Sequence, residues 1–105
     1  MMVVKTTFGT YKNCWLELNK YVYDGSLAIM IRNMEDGPIA KITTCIDGFS
    51  LQKNEAYIDT NNCPWAEDFI REYQLGKPTG RKARSGYCEY PVYRFDMDRL
   101  REFEA

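Results

Sequence analysis

The chain has 105 residues, enough for one hydrophobic core and no second one. Its 14 basic and 15 acidic side chains leave a net charge of −1, which argues against broad electrostatic wrapping of nucleic acid, a local patch apart, and disfavours an acidic imitation of it. With 45% hydrophobic and 14% aromatic residues, the composition is that of a folded domain, read here as a single α+β domain spanning 1–105.

The start, Met1-Met2-Val3-Val4-Lys5-Thr6, lacks the apolar centre of a signal peptide, and the longest apolar run is Leu27 to Ile31. A membrane helix needs roughly 20 such residues. The expectation is a cytoplasmic protein with no membrane partner. The four cysteines lie at 14, 45, 63 and 88, with no closely paired ligands and no histidine anywhere. Two disulfides in any of three pairings are compatible with the count. Zinc sites announce themselves through pairs such as C-x₂-C. The expectation is four separate, mostly buried thiols, with no metal and no cofactor.

In chain order, Val3 to Phe8 reads as a strand that Gly9-Thr10 turns into the next. Cys14 to Tyr23 is extended, with Cys14, Leu16, Leu18 and Val22 on one face. Leu27 to Arg32 follows, with Leu27, Ile29 and Ile31 on one face. Ile39 to Ile46 alternates Ala40, Ile42, Thr44 and Ile46 against Ile39, Lys41, Thr43 and Cys45. Period-two alternation with β-branched residues is the strand signal. Asp24-Gly25, Asp36-Gly37 and Asp47-Gly48 separate these runs and suit type I′ turns, so the segments form an antiparallel meander.

Ala56 to Asp59 is a short strand. Asn61, Asn62 and Pro64 then predict a helix to Leu75, with Trp65, Phe69, Ile70 and Tyr73 on its apolar face and Gly76 and Pro78 as its stop. A basic loop follows. Tyr87 to Phe95 is extended, and Pro91 assigns it to an edge or a bulge. Asp96 caps a terminal helix carrying Met97, Leu100 and Phe103. The resulting expectation is a small twisted antiparallel sheet of about four to six strands, packed against one amphipathic helix, with a short C-terminal helix.

Lys77, Arg81, Lys82 and Arg84 crowd the basic loop, and Tyr87, Tyr90 and Tyr93 follow it. This is the one place where cations and aromatics concentrate. The loop follows a helix C-terminus, so it lacks the converging N–H groups of a phosphate cradle, and Gly-Lys-Pro-Thr-Gly is not a P-loop. Cations there also complement a helix's negative end. The readings are a solvated loop, contact with an acidic protein surface or a nucleic-acid backbone, or a small anion. The tyrosines fit a stacking platform, a protein interface, or ordinary cross-strand pairs.

Chemistry is sparse. Glu17, Glu35, Asp36, Asp47, Glu55 and Asp59 are scattered with no paired spacing, and general-base work has no histidine to draw on. Cys63, at a helix start, is either a thiol activated by the helix dipole or a small buried residue. No catalytic residue is assigned and no enzyme is expected.

Phe8-Gly9-Thr10-Tyr11-Lys12-Asn13, Asp24-Gly25-Ser26-Leu27-Ala28-Ile29, Glu35-Asp36-Gly37-Pro38-Ile39-Ala40 and the Leu75–Phe95 segment give the chain a resemblance. It is similar to an uncharacterised family of roughly 100-residue proteins encoded on bacterial conjugative elements and prophages. The resemblance covers nearly the whole chain but rests on turns and strands rather than chemistry, so it carries over no catalytic residue. It implies a setting among accessory proteins of mobile elements, which include compact inhibitors of host defence such as anti-CRISPR proteins. The expectation is a protein-binding inhibitor of a host defence nuclease such as a CRISPR effector, monomeric or homodimeric. Its partner surface would be Lys77, Arg81, Lys82, Arg84, Tyr87, Tyr90 and Tyr93. The alternative is a nucleic-acid-binding accessory factor using the same loop and tyrosines.

Overall fold

The computed structural model describes residues 1–105. Its elements are β1 (Met2–Thr6), β2 (Gly9–Lys20), β3 (Leu27–Asn33), β4 (Gly37–Lys41), β5 (Thr43–Thr44), β6 (Glu55–Ile58), α1 (Ala66–Glu72), β7 (Gly76–Ser85), β8 (Cys88–Phe95) and α2 (Met97–Arg101). The strands form two four-stranded antiparallel sheets, ordered β1-β2-β3-β4 and β5-β6-β8-β7. The α+β class holds, but the expected single meander is two sheets. Neither helix exceeds two turns, so the core is built mainly between strands.

The sheets meet at Ile42. The run expected as one strand, Ile39 to Ile46, divides there into β4 and β5. The Ile42 N–H donates to the Ile29 carbonyl on β3 at 3.1 Å, while its own carbonyl accepts from the Asp59 N–H, just past β6, at 2.8 Å. One residue therefore passes the chain from one ladder to the other. Beside it, the Thr43 hydroxyl accepts from the Ile29 N–H at 3.1 Å and satisfies a donor that the change of partner would orphan.

The main core holds Met2, Val4, Cys14, Leu16, Leu27, Ile29 and Ile31 from the first sheet. Ala56, Ile58, Tyr93 and Phe95 from the second join them in one cluster, with Ala66, Phe69 and Ile70 of α1 and Leu100 of α2. Val22 departs from its expected inward face and is fully exposed, because β2 ends at Lys20 and Val22 belongs to the connection before β3. Within the second sheet, β6 is covered on both faces, as the complete burial of Glu55, Ala56, Tyr57 and Ile58 shows. A second cluster of Ile46, Tyr57, Ala83 and Val92, joined by Leu51 and Tyr90, lies under the segment that carries Asp47-Gly48.

Local chemistry departs from expectation at identifiable points. In each Asp-Gly pair only the glycine has positive φ (71° at Gly25, 70° at Gly37, 85° at Gly48), so these are not type I′ turns. The turn after β1 is Thr7-Phe8, held by the Thr6 hydroxyl, rather than Gly9-Thr10. No asparagine side chain caps α1; the preceding turn is organised by Asp59, which accepts from the Asn62 N–H. The helix ends at Gln74, not Gly76. Gln74 takes φ 55°, with Leu75 N–H bonded to the Ile70 carbonyl and Gln74 N–H to the Arg71 carbonyl, the Schellman arrangement. Asp96 does cap α2, accepting from the Arg99 N–H at 3.1 Å.

The expected basic loop is strand β7. Gly76 opens it because a side chain there would lie 2.6 Å from the Arg94 carbonyl oxygen. Thr79, Gly80 and Arg81 bulge opposite the single residue Val92, and the ladder resumes with Lys82↔Pro91, Ala83↔Tyr90, Arg84↔Glu89 and Ser85↔Cys88. Pro91 is not on an edge strand, since β8 runs between β6 and β7. It is tolerated because it lies one residue past the last β6 pair, Tyr57↔Val92, and directly beside the bulge.

Candidate functional site

The residues singled out by sequence are dispersed by the fold into three environments. Lys77, Lys82 and Arg84 are exposed on β7 and make no ion pair within the chain. Alternation places Lys82 and Arg84 on the same face, opposite to buried Ala83. Tyr87 is fully exposed at the hairpin tip. There Gly86 takes φ 62° at the first central position, which Tyr87 could not adopt cheaply, as a type II′ turn requires. These four residues are exposed, Lys77 at the start of β7 and the other three towards its hairpin end.

Arg81 is held by the fold instead. Its guanidinium pairs with Glu55, whose side chain is completely buried, and reaches the Ser50 carbonyl at 3.4 Å. Arg94 takes the other Glu55 oxygen at 3.2 Å, and the Gln52 N–H donates to Glu55 at 2.8 Å. Burial pushes the Glu55 carboxyl up, but Arg81, the Gln52 N–H and Arg94 outweigh it and hold it below the ordinary value. A buried carboxylate with two arginines and a backbone donor ties β6, β7, β8 and the 50–52 segment together.

Tyr93 is not on the surface either. It is buried in the main core, and its hydroxyl donates to Glu67 on α1 at 2.6 Å. Desolvation first, then that hydrogen bond and the Glu67 charge, push the phenol up to about 12. Tyr90 is half-buried against the second cluster, with its pKa raised by desolvation and by Cys88. The proposed tyrosine platform is therefore reduced to Tyr87.

Three residues that were not site candidates from sequence are also exposed. Val22 and Tyr23, on the β2–β3 connection, are exposed, and Phe49 is 45% exposed. The Tyr23 hydroxyl donates to Asp47, which brings that connection against the segment carrying Phe49. Phe49 meets buried Tyr57 edge to face at 6.4 Å, and both line a depression of about 350 Å³ with Arg81, Lys82, Ala83 and Val92. The only sequence signal for Phe49 was an aromatic directly after Asp-Gly.

The acidic side chains and thiols near the core have structural partners. Glu67, Asp59 and Asp96 are each engaged in holding a turn, a helix end or a tyrosine. Cys63, rather than being activated, has its thiol pushed up to about 11 by burial, then by Asp59. It donates to the Lys41 carbonyl at 3.6 Å. The four thiols are free, and no three Cys, Asp or Glu side chains converge as a metal site. A cleft of about 1150 Å³ lies open between the end of α1 and the start of β7. Its lining includes Arg71, Gln74, Lys77 and Asp96 beside Tyr93 and Phe95. No helix is long and apolar enough to cross a membrane.

No curated protein and no solved structure matches the chain. A family model does match, over residues 15–105, and takes in every element from the second half of β2 to the C-terminus. The chain belongs to the DUF4313 family, a domain of unknown function.

Proposed function

We propose that this protein is a non-enzymatic binding protein, and that its partner is another protein: a host defence nuclease, of which a CRISPR effector is the leading example, inhibited by occupation. The observation that supports binding is the exposed region around the end of β7. It carries the unpaired cations Lys82 and Arg84 on one face and, on the Ala83 face, the depression lined by Phe49, with Tyr23 and Val22 exposed on the β2–β3 connection and Tyr87 at the hairpin tip. Exposed apolar and aromatic groups rimmed by cations are the composition of a protein interface. Support for the nuclease comes from the resemblance to small proteins of mobile elements.

The nucleic-acid alternative is less well supported. Arg81 belongs to Glu55, and Tyr93 is in the core, so the cations and stacking groups left are too few for a channel that tracks a phosphate backbone. Two measurements separate the readings. Size-exclusion chromatography of the protein with purified CRISPR and restriction nucleases is expected to yield a stoichiometric complex with one of them. Mobility shift on bare DNA and RNA is expected to show only weak binding; tight binding that falls steeply with salt would transfer the assignment to nucleic acid.

A further inference from the structure

On the protein-binding reading above, the free edge of β7 also indicates the partner's shape. The chain covers or shortens its other edges. On β1, the Val3 N–H and carbonyl are both bonded by the Tyr73 hydroxyl, at 2.7 and 3.1 Å. Beyond β1, the second half of β2 is closed by Phe103 and Glu104, with the Leu16 N–H on the Phe103 carbonyl at 2.8 Å. β4 has five residues and carries Pro38, and β5 has two. β7 has ten and nothing lies along it.

Its first half is protected in the usual ways: Pro78 lacks an N–H, and residues 79–81 bulge, with Thr79 bonded to the Val92 carbonyl at 3.0 Å. These devices stop at Arg81. From Lys82 to Ser85 the ladder with β8 is regular. Ser85 and Cys88 close a two-residue turn and so exchange both hydrogen bonds, as do Ala83 and Tyr90. The N–H and C=O groups of Lys82 and Arg84 consequently point to the open edge. We propose that this edge accepts an extended acidic segment of the partner protein by strand addition, its carboxylates meeting Lys82 and Arg84. The depression beside Phe49 and Val92 offers a place for one of its side chains. A second copy of β7 is the wrong occupant, because it would set cations against cations.

The test uses the full chain and a fluorescent peptide of alternating glutamate and valine, with a lysine–valine peptide as control. The wild type is expected to bind the acidic peptide only and to slow amide exchange at Lys82 and Arg84. Arg84→Pro removes an edge-facing N–H without touching the β8 ladder, and is expected to weaken binding at least about tenfold. Lys82→Glu with Arg84→Glu is expected to reverse the preference. Unchanged affinity in folded Arg84→Pro, or no binding of the acidic peptide, would overturn strand addition while leaving the nuclease complex to be judged by chromatography. If Arg84→Pro unfolds the hairpin, wild-type exchange decides: slowing at residues 82 and 84 supports the proposal and no change overturns it.

Discussion

Arg81 closes on the buried carboxylate of Glu55 from the neighbouring region of the sheet, so the most arginine-like anchor in the basic segment is part of the fold. Arg81→Ala leaves a buried charge with Arg94 as its only arginine. Because Arg81 itself is half exposed, the cost is on the order of 2–3 kcal/mol rather than that of a fully buried pair. Lys82→Ala with Arg84→Ala removes only solvated charges and is expected to stay within about 0.5 kcal/mol of wild type. Urea denaturation of the two variants checks the contrast; equal stabilities would show that Glu55 does not depend on Arg81.

The same carboxylate sets an acid limb. Its folded pKa is lowered, so its contribution is complete above the ordinary carboxylate range, near pH 4.3, and is lost as pH falls through the folded value. Tyr93 works in the opposite direction. Its folded pKa is raised to about 12, so its contribution is present below the unfolded value near 10 and is lost as pH rises towards 12. Thermal melts across both ranges are expected to show wild-type stability falling at each end. Glu55→Gln is expected to flatten the acid limb and Tyr93→Phe the alkaline one.

Strand periodicity was readable where a segment keeps one partner sheet. Leu27, Ile29 and Ile31 point inward as their alternation requires, and Ala56–Asp59 was located to within one residue. The exchange of ladders at Ile42 was not readable, because the alternation of Ile39–Ile46 continues unbroken across it. The Gly-Lys-Pro-Thr-Gly run reads locally as a loop, and only pairing with β8 makes it a strand with a bulge; tertiary contacts override propensity there. Of the residues named from sequence as a partner surface, Lys77, Lys82, Arg84 and Tyr87 are exposed. Tyr93 was misplaced because its face depends on which strands flank β8, and Phe49 was missed because no periodicity marks a loop.

Phe69 is 4% exposed in the main core and meets both Trp65 and Tyr73 ring to ring. Phe69→Ala is expected to cost about 3–5 kcal/mol in transfer energy and residual cavity. A loss below about 1 kcal/mol in denaturant would contradict the packing of α1 described above.

Backbone strain offers a gain. Gln74 holds the left-handed position that ends α1 at φ 55°, where a side chain is unfavourable. Gln74→Gly is expected to raise stability by about 0.5–1 kcal/mol, offset in part by a more flexible unfolded chain. Gly76→Ala, by contrast, drives a methyl into the Arg94 carbonyl and is expected to cost about 1–3 kcal/mol. The pair of melting temperatures should move in opposite directions.

The central claim is that the surface joining β7 to Phe49 blocks a nuclease by contact. Its most direct test is DNA cleavage by the nuclease captured in the chromatographic screen, titrated with wild type and with a Phe49→Ala, Lys82→Glu, Arg84→Glu variant of verified fold. Stoichiometric inhibition by wild type and at least about tenfold weaker inhibition by the variant is the predicted result. Equal inhibition by both would remove this surface from the mechanism. A complex that leaves cleavage untouched, or no complex with any defence nuclease, would contradict the inhibitor assignment itself.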